Sequence, residues 1–356
     1  MALLNLALKS ATPKMQYSLA NASSQNAMAK SPKLEEWMAT LNQIKSDPTT
    51  EAAQDILRRT LNCKYSVAVA QAAQLVGQSE LYPLMRDLVT AFNRFMLKPA
   101  ETDPGCRAKQ AIADTLYRLE YSDEAVFLKG IHHVQPEPVW GGQVDTAPRL
   151  RGTCALGLVR MNYPQTMVEL GDLLADPEPE ARIGAARAIA YSQNDQGVPL
   201  LRMRIKVGDV SPVLSECLIA LLQLAPERSL PLVKSLLYAR NMLELGEDVE
   251  KAEAAALALS ESRLPEAFPL LKDWWQQLSD PGLRKVGLLA ISTLRQSDAI
   301  AFLLTQIAEG DLQDAREAIQ AMDIHAQDQV LWQRVCEVAE QRDSVLKETL
   351  EKVSKP

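Results

Sequence analysis

The sequence predicts an all-α protein, a right-handed superhelix of about eight helical hairpins with capping helices at its two ends. The first observation is that an acidic residue followed by an alanine-rich helical pattern recurs along most of the 356-residue chain. The second is composition, because hydrophobic residues make up 47% of the chain but aromatic residues only 5%. This suits helices packed through small and aliphatic side chains. The third is that no sustained apolar and polar alternation indicates a strand.

The residues from Asp176 to Lys206 form the clearest helical unit. Asp176 suits a helix N-cap because its side chain can accept hydrogen bonds from the first amides, and Pro177 suits the first helical turn. Isoleucine and alanine then recur at helical spacing up to a polar turn at residues 192–197. A second helix follows from Val198, so about thirty residues make one hairpin.

A single hairpin of this kind cannot bury both of its apolar faces, so it needs neighbouring hairpins. The same acidic start recurs at intervals of 31 to 42 residues, at Asp103, Asp145, Asp176, Asp209, Asp248, Asp280 and Asp311. A further copy without the aspartate begins near Lys64. These starts together indicate about eight stacked units.

The units at Asp176 and Asp280 begin with Asp-Pro, followed by an arginine and an alanine- or leucine-rich helix. They resemble the HEAT-repeat superfamily, in particular the short bacterial repeats of the phycobilisome-lyase type, which begin Asp-Pro-x-Pro-x-Val/Ala-Arg. The resemblance covers residues 60–340 and implies the superhelical fold. It implies little about activity, because such repeats serve scaffolds, lyases and nucleic-acid enzymes.

Four segments follow from this pattern. Residues 1–34 contain four lysines and no acidic residue and are expected to form a flexible tail. Residues 35–63 are predicted to form an N-terminal capping hairpin, and residues 330–356 a C-terminal capping helix, because the open ends of a repeat array need cover. Residues 64–329 form the predicted HEAT-like repeat array.

Composition also excludes several classes of partner and compartment. The net charge of −7 argues against nucleic-acid binding, which needs a basic face. The longest apolar runs are too short to cross a bilayer, so we expect no membrane insertion. The five cysteines are odd in number and widely spread, with no Cys-x-x-Cys pair. They are typical of reduced thiols, and we expect a cytoplasmic protein.

No catalytic motif emerges from the sequence. There is no Gly-x-Ser-x-Gly elbow, no cysteine with a histidine placed to activate it, and no glycine motif that would hold a phosphate. His132 and His133 are adjacent and cannot readily share one ion, and His325 lies far along the array. We therefore expect no catalytic residue, no metal site and no cofactor.

Several second helices share a local register in which a cation follows a proline, or Val126 in its place, by three residues. These cations, which we call the basic ladder, are Arg86, Lys129, Arg202, Lys234 and Lys272. Second helices usually line the concave face of HEAT arrays, so the basic ladder predicts a surface for another protein, with an acidic segment as its counterpart. The alternative is that these long cations only solvate the outer face of amphipathic helices.

The longest informative connection runs from His132 to Pro148. Its prolines and Gly-Gly pair favour a fixed, non-helical excursion, and loops on rigid scaffolds often carry function. The candidate ligand-binding residues of this loop are His132, His133, Trp140, Gly141 and Gly142. The alternative is an ordered insertion that packs Trp140 onto the adjacent helices.

The function predicted from these features is a non-catalytic scaffold or adaptor that binds another protein along the concave face of the repeat array. The alternative, implied by the family resemblance, is a bilin lyase-type or chromophore-handling enzyme built on the same repeats. No residue pattern identifies a bilin site.

Overall fold

A computed structural model describes residues 32–239, 247–342 and 344–353. The tail predicted for residues 1–34 lies outside these ranges except for its last three residues, which begin the first helix. Within the described residues, the regular secondary structure is helical except for one short pair of strands, which confirms the predicted fold class. The chain divides into two compact units, residues 1–192 and 193–356.

Unit 1 contains the first ten helices and both strands. The helices are α1 (Pro32–Ile44), α2 (Glu51–Leu61), α3 (Ser66–Gln78), α4 (Met85–Phe95), the short α5 (Pro99–Thr102), α6 (Arg107–Arg118), α7 (Glu124–Ile131), α8 (Pro148–Arg160), α9 (Thr166–Leu173) and α10 (Pro179–Ser192). The strands, β1 (Pro136–Val139) and β2 (Gly142–Asp145), lie between α7 and α8.

Unit 2 contains the remaining ten helices of the described chain. They are α11 (Gly197–Val207), α12 (Ser211–Leu224), α13 (Pro226–Leu237), α14 (Glu247–Ser262), α15 (Ala267–Gln277), α16 (Pro281–Thr293), α17 (Ser297–Glu309), α18 (Leu312–Met322), α19 (Gln329–Arg342) and α20 (Ser344–Val353). Both helices predicted for Asp176 to Lys206 are present, as α10 and α11, and the boundary between the two units falls in the turn that joins them.

Within each unit the first helices of successive hairpins pack closely on one another, as α3 does on α6 and α8 on α10 in unit 1, and α12 on α14 in unit 2. Small residues make this possible. A Cβ atom added to Gly184 of α10 would lie 2.6 Å from the Cα of Gly152 in α8, so the two backbones meet at a pair of glycines. Ala186 of α10 is also fully buried. The second helices lie farther apart than the first helices.

The predicted aspartate caps are formed at the starts of α16 and α18. Asp280 accepts a hydrogen bond from the amide of Leu283, and Asp311 accepts one from the amide of Asp314, each at 2.8 Å. These bonds satisfy amides that have no partner inside the helix and explain why the acidic start recurs.

The first helices end on a motif that the sequence does not reveal. One or two residues after each of six such helices, the backbone takes a left-handed conformation with φ between 50° and 57°, at Glu80, Glu120, Asn162, Gln193, Arg263 and Arg295. In unit 1 the next amide then donates to the carbonyl five positions earlier, as Leu81 does to Val76 at 3.0 Å. This bonding is that of a Schellman cap, and it turns the chain toward the second helix.

In unit 2 the tryptophan pair on α15 belongs to the core. Trp274 and Trp275 are both buried, and the Trp275 ring meets the edge of Phe302 at 5.4 Å between centroids. The guanidinium of Arg284 stacks on Trp275 at 4.1 Å and is paired with Asp314 of α18 at 2.5 Å. Aromatic stacking and an ion pair therefore tie three successive hairpins together.

The two strands correct the expectation that no strand is present. They form an isolated antiparallel hairpin with Pro136 opposite Asp145 and Val139 opposite Gly142. Prolines at alternate positions exclude a helix here, and Gly141, at φ 90°, closes the turn in a conformation that glycine adopts without strain.

Two further sequence predictions concern the state of the cysteines and the presence of membrane-crossing helices. The five cysteines, all within the described residues, form no disulfide. Burial raises the pKa of Cys106 to about 12, so this thiol stays protonated. Among the helices of the described ranges, none is long and apolar enough to cross a membrane.

Candidate functional site

Three cations of the basic ladder share one helical register in unit 2. Arg202, Lys234 and Lys272 each follow directly a fully buried apolar residue of their helix, respectively Leu201, Val233 and Leu271. Lys234 is exposed, whereas Arg202 and Lys272 are half-buried. The ammonium of Lys272 lies 5.4 Å from the ring centroid of Phe302 and 6.0 Å from that of Phe268. Lys272 therefore has a packing role in addition to its exposed charge.

The two cations of the basic ladder in unit 1 take a different register. Arg86 and Lys129 are exposed, and each lies midway between buried apolar residues two positions before and two positions after it. The ammonium of Lys129 also donates a hydrogen bond to the side-chain oxygen of Asn93 at 3.0 Å. The basic ladder thus consists of two groups that differ in their rotation about the helix axis, not of five equivalent cations.

The loop from His132 to Pro148 holds the most exposed large hydrophobic side chain of the described residues. Trp140 lies in the turn between β1 and β2, and its relative exposure is 103%. The alternative in which Trp140 packs onto adjacent helices is therefore wrong. The reason is geometric, since Trp140 and Gly141 form the two-residue tip of a hairpin that is anchored only at its base. Gly142 begins β2 and is also exposed.

The base of the hairpin is held by Glu137 of β1. One carboxylate oxygen of Glu137 accepts three hydrogen bonds, from the Gly105 amide at 2.7 Å, the Gln135 side-chain amide at 2.7 Å and the Thr146 hydroxyl at 2.8 Å. Gly105 belongs to the turn that precedes α6, about thirty residues earlier in the chain. The hairpin is thereby fixed to the neighbouring repeat.

Gln135 lies fully buried beneath the hairpin and uses nearly all of its hydrogen-bonding groups. Its side-chain amide donates to the Asp103 carbonyl at 2.8 Å, and its backbone amide donates to the Asp145 carboxylate at 2.9 Å. Its side-chain oxygen lies 3.1 Å from Nε2 of His133. A buried amide bonded in this way fixes one conformation of the loop.

Asp103 forms a fully buried ion pair with Lys109, with Nζ 2.9 Å from the carboxylate. The same carboxylate accepts the backbone amides of Ala108 and Lys109 at 2.9 and 3.0 Å. The desolvation of both charges is offset by these bonds, and loss of either partner would leave a buried charge alone.

Arg151 of α8 connects the hairpin to the next repeat. Its side chain is 2% exposed, and Nη1 donates to Asp145 at 2.6 Å and to the His133 carbonyl at 2.9 Å. On its other side Nη2 donates to Asp176 at 2.9 Å, and Nε lies 2.8 Å from the second oxygen of the same carboxylate. Arg151 therefore bridges two carboxylates that start successive units. We call the residues Asp103, Lys109, Gln135, Glu137, Asp145, Arg151 and Asp176 the base network.

The base network shifts two pKa values. Burial favours the neutral form of Asp145, but amide bonds from Gln135 and Ala147 and the ion pair with Arg151 outweigh burial and lower its pKa. Burial lowers the pKa of His133, and the nearby charges of Lys109 and Arg151 act in the same direction against the Gln135 bond and Asp145. At neutral pH the imidazole of His133 is therefore uncharged.

His132 and His133 do not form a shared site. His132 is exposed and its Nε2 lies 3.0 Å from the Glu169 carboxylate on α9, whereas His133 is directed to Gln135. No group of three potential ligands suited to a metal ion occurs in the described parts of the chain.

The hairpin exposes apolar side chains, and the base network holds it in one position. Val134 at the base of the hairpin, and Val139 and Val144 in its strands, are all about half exposed or more. A shallow groove of about 290 Å³ runs between α5 and the start of β1, lined by Lys98, Pro99, Ala100, Glu101, Val134, Gln135 and Pro136. A fixed aromatic tip beside branched apolar side chains suits contact with another macromolecule.

The base network is the part of the site that sequence analysis missed. A signal for it is present, because a cation follows the first aspartate of three successive units by six residues, at Asp103 and Lys109, Asp145 and Arg151, and Asp176 and Arg182. Six residues span the N-cap and the first helical turn and a half, which brings the cation back to its own aspartate. Arg182 donates to the Asp176 carbonyl at 2.6 Å.

No protein-family model matches the chain, and no curated protein matches it. Among solved structures, the chain is similar to one in the complex of CpcE and CpcF of phycocyanin lyase from Nostoc sp. PCC7120, with 15% sequence identity and a TM-score of 0.35. The similarity covers 65% of this chain and 89% of that chain.

Proposed function

We propose that this protein is a non-catalytic scaffold that binds another protein, with the β1–β2 hairpin as its recognition element. The observation that carries the proposal is that Trp140 is wholly exposed at the tip of a hairpin whose base is fixed by buried ion pairs. A tryptophan in water contributes little to folding, whereas tryptophan is among the residues most enriched at binding hot spots.

The anchoring of the hairpin supports this proposal. An isolated two-stranded hairpin is marginal in water, so the order of β1 and β2 depends on the base network. Glu137 and Arg151 tie the hairpin to the repeats before and after it. Because the hairpin is ordered before a partner arrives, binding loses less conformational entropy. More of the contact energy of Trp140 therefore appears in the binding free energy.

The unit 2 cations are proposed as a second, weaker surface. Arg202 and Lys234 share a helical register and retain exposed charge, which suits an acidic segment of the partner. We further propose that residues 35–63 and 330–356 cap the HEAT-like array of residues 64–329, and that the protein works in the cytoplasm.

The test is capture of partners from the native host by the immobilised protein, compared with two variants. Trp140→Ser removes the exposed indole and is expected to abolish capture of the specific partner without changing the melting curve. Tyr82→Ser removes a different, half-exposed aromatic side chain of unit 1 and is expected to leave capture intact. Equal capture by all three proteins would refute the role of the hairpin.

The bilin lyase-type alternative is separated by a second readout in the same experiment. Purified protein incubated with a bilin gains no visible absorption band if the protein is only a scaffold. A bound band that survives gel filtration and disappears in Trp140→Ser would replace the scaffold with a chromophore-handling function at the same hairpin.

A further inference from the structure

The two edges of the β1–β2 hairpin are not equivalent. The Thr146 amide donates to the Gln135 carbonyl at 3.0 Å, which fixes the phase of the antiparallel ladder. Because hydrogen-bonded and non-hydrogen-bonded pairs alternate, Glu137 and Val144 bond to each other, whereas the next pairs direct their backbone groups outward. The outward positions are Pro136 and Pro138 on β1, and Gln143 and Asp145 on β2.

The outer edge of β1 is closed to strand addition. Both outward residues are prolines, which have no amide hydrogen to donate. The outer edge of β2 has no such protection. Gly142, Gln143 and Val144 are exposed and uncharged, and Gln143 directs both an amide and a carbonyl outward. The hairpin therefore has one edge that can accept a strand and one that cannot.

We propose that the open edge of β2 pairs with β2 of a second copy of this chain. The inference rests on the proposed function, because it names a partner for the same hairpin. In an antiparallel arrangement about a two-fold axis, Gln143 lies opposite Gln143 of the second copy and the two residues exchange both backbone hydrogen bonds. Because β1 is closed by its prolines, pairing stops at a four-stranded sheet and gives a closed dimer, not a fibre.

The surroundings of the edge fit this arrangement. Antiparallel pairing places the helical bodies of the two copies at opposite ends of the new sheet and brings each Trp140 toward the base of the other hairpin. A buried tryptophan covers about 150–250 Å², so the two tryptophans with the hairpin valines bury a total at or below the roughly 1,200 Å² that marks a stable interface. The dimer is therefore expected to be reversible, with a dissociation constant in the micromolar range or weaker.

The test is sedimentation velocity of the full chain over a concentration series from micromolar to millimolar. The wild type is expected to show a reversible monomer–dimer equilibrium. Gln143→Pro removes the outward amide hydrogen and is expected to weaken dimerisation at least about tenfold. Gln143→Thr keeps the amide and is expected to dimerise like the wild type. Circular dichroism shows whether each variant remains folded.

A charge-swap pair keeps the proposal testable if the proline variant unfolds the hairpin. Gln143→Lys and Gln143→Glu each place like charges opposite one another across the two-fold axis and are expected to be monomeric alone. Mixed in equal amounts, they are expected to form a heterodimer that salt weakens. If Gln143 were needed only for the stability of the hairpin, mixing the two variants would not restore dimerisation.

Two results would overturn the inference. One is a wild-type protein that remains monomeric up to millimolar concentration. The other is a dimer that neither the proline variant nor the charge-swap pair affects. If the wild type is monomeric but Trp140→Ser still loses capture of a host protein, the proposed function stands and only the self-pairing is refuted.

Discussion

Replacement of Arg151 by methionine tests the base network at its centre. The guanidinium bridges Asp145 on one side and Asp176 on the other, and its side chain is 2% exposed. Methionine keeps most of the apolar stem and removes only the charge and the donors. Two carboxylates, each about one-tenth exposed, would then lie buried without their cation.

The expected magnitude follows from burial. Removal of one partner from a buried ion pair typically costs about 3–5 kcal/mol, because the remaining charge is left without compensation. A domain of about 150 residues loses roughly 2–4 °C of melting temperature for each kcal/mol. Arg151→Met is therefore expected to lower the melting temperature of unit 1 by about 6–20 °C.

The matched control is Arg149→Met, on the same helix two residues earlier. Arg149 is paired with Glu180 at 3.2 Å, but the side chain of Arg149 is 74% exposed and that of Glu180 is 56% exposed. Such exposed pairs contribute about 1 kcal/mol at most. Thermal unfolding followed by circular dichroism gives both values, and hydrogen exchange at the Thr146 amide reports the hairpin directly. If Arg151→Met and Arg149→Met melt at the same temperature, the stabilising role of the base network is refuted.

Two further predictions concern charge and pH. Burial lowers the pKa of His133 below its usual value of 6.5, so the unfolded chain takes up a proton first and stability falls as pH drops from about 7 through that value. His133→Gln is expected to flatten this fall in melting temperature; a slope equal to that of the wild type would contradict the assignment. Lys272→Glu is expected to destabilise unit 2 by about 0.5–1 kcal/mol, because a carboxylate replaces a cation beside the Phe302 ring. Lys234→Glu, on an exposed position, should change the unfolding free energy by less than about 0.5 kcal/mol, and equal urea midpoints for the two would disprove the packing role of Lys272.

The helical elements were predictable because their signals are local. Asp280 lies next to a proline and caps the helix that follows, and Ala186 recurs at helical spacing on the buried face of α10. The ends of the first helices were not predictable. Glu80 and Arg263 take left-handed conformations that sequence rules assign to glycine or asparagine, and the hydrogen bonds of the cap outweigh the cost in backbone strain.

The candidate site was predictable in position but not in structure. The proline and glycine content of residues 132–148 indicates a fixed excursion, yet two four-residue strands are too short for an alternation signal. The environment of Trp140 depends on bonds between residues far apart in the chain, such as Gly105 to Glu137, 32 positions apart, and Arg151 to Asp176, 25 positions apart. Such bonds follow from the stacking of repeats, which no local pattern encodes.

The central claim is that the tip of the hairpin is a recognition element, and site-specific photo-crosslinking tests it most directly. A photoreactive phenylalanine analogue placed at position 140, and in a separate protein at position 82, compares two exposed aromatic positions of unit 1. In the native host, or with the purified chain alone, we predict a discrete protein adduct from position 140 and none from position 82. If position 140 yields no adduct, or yields the same adducts as position 82, the result contradicts the account.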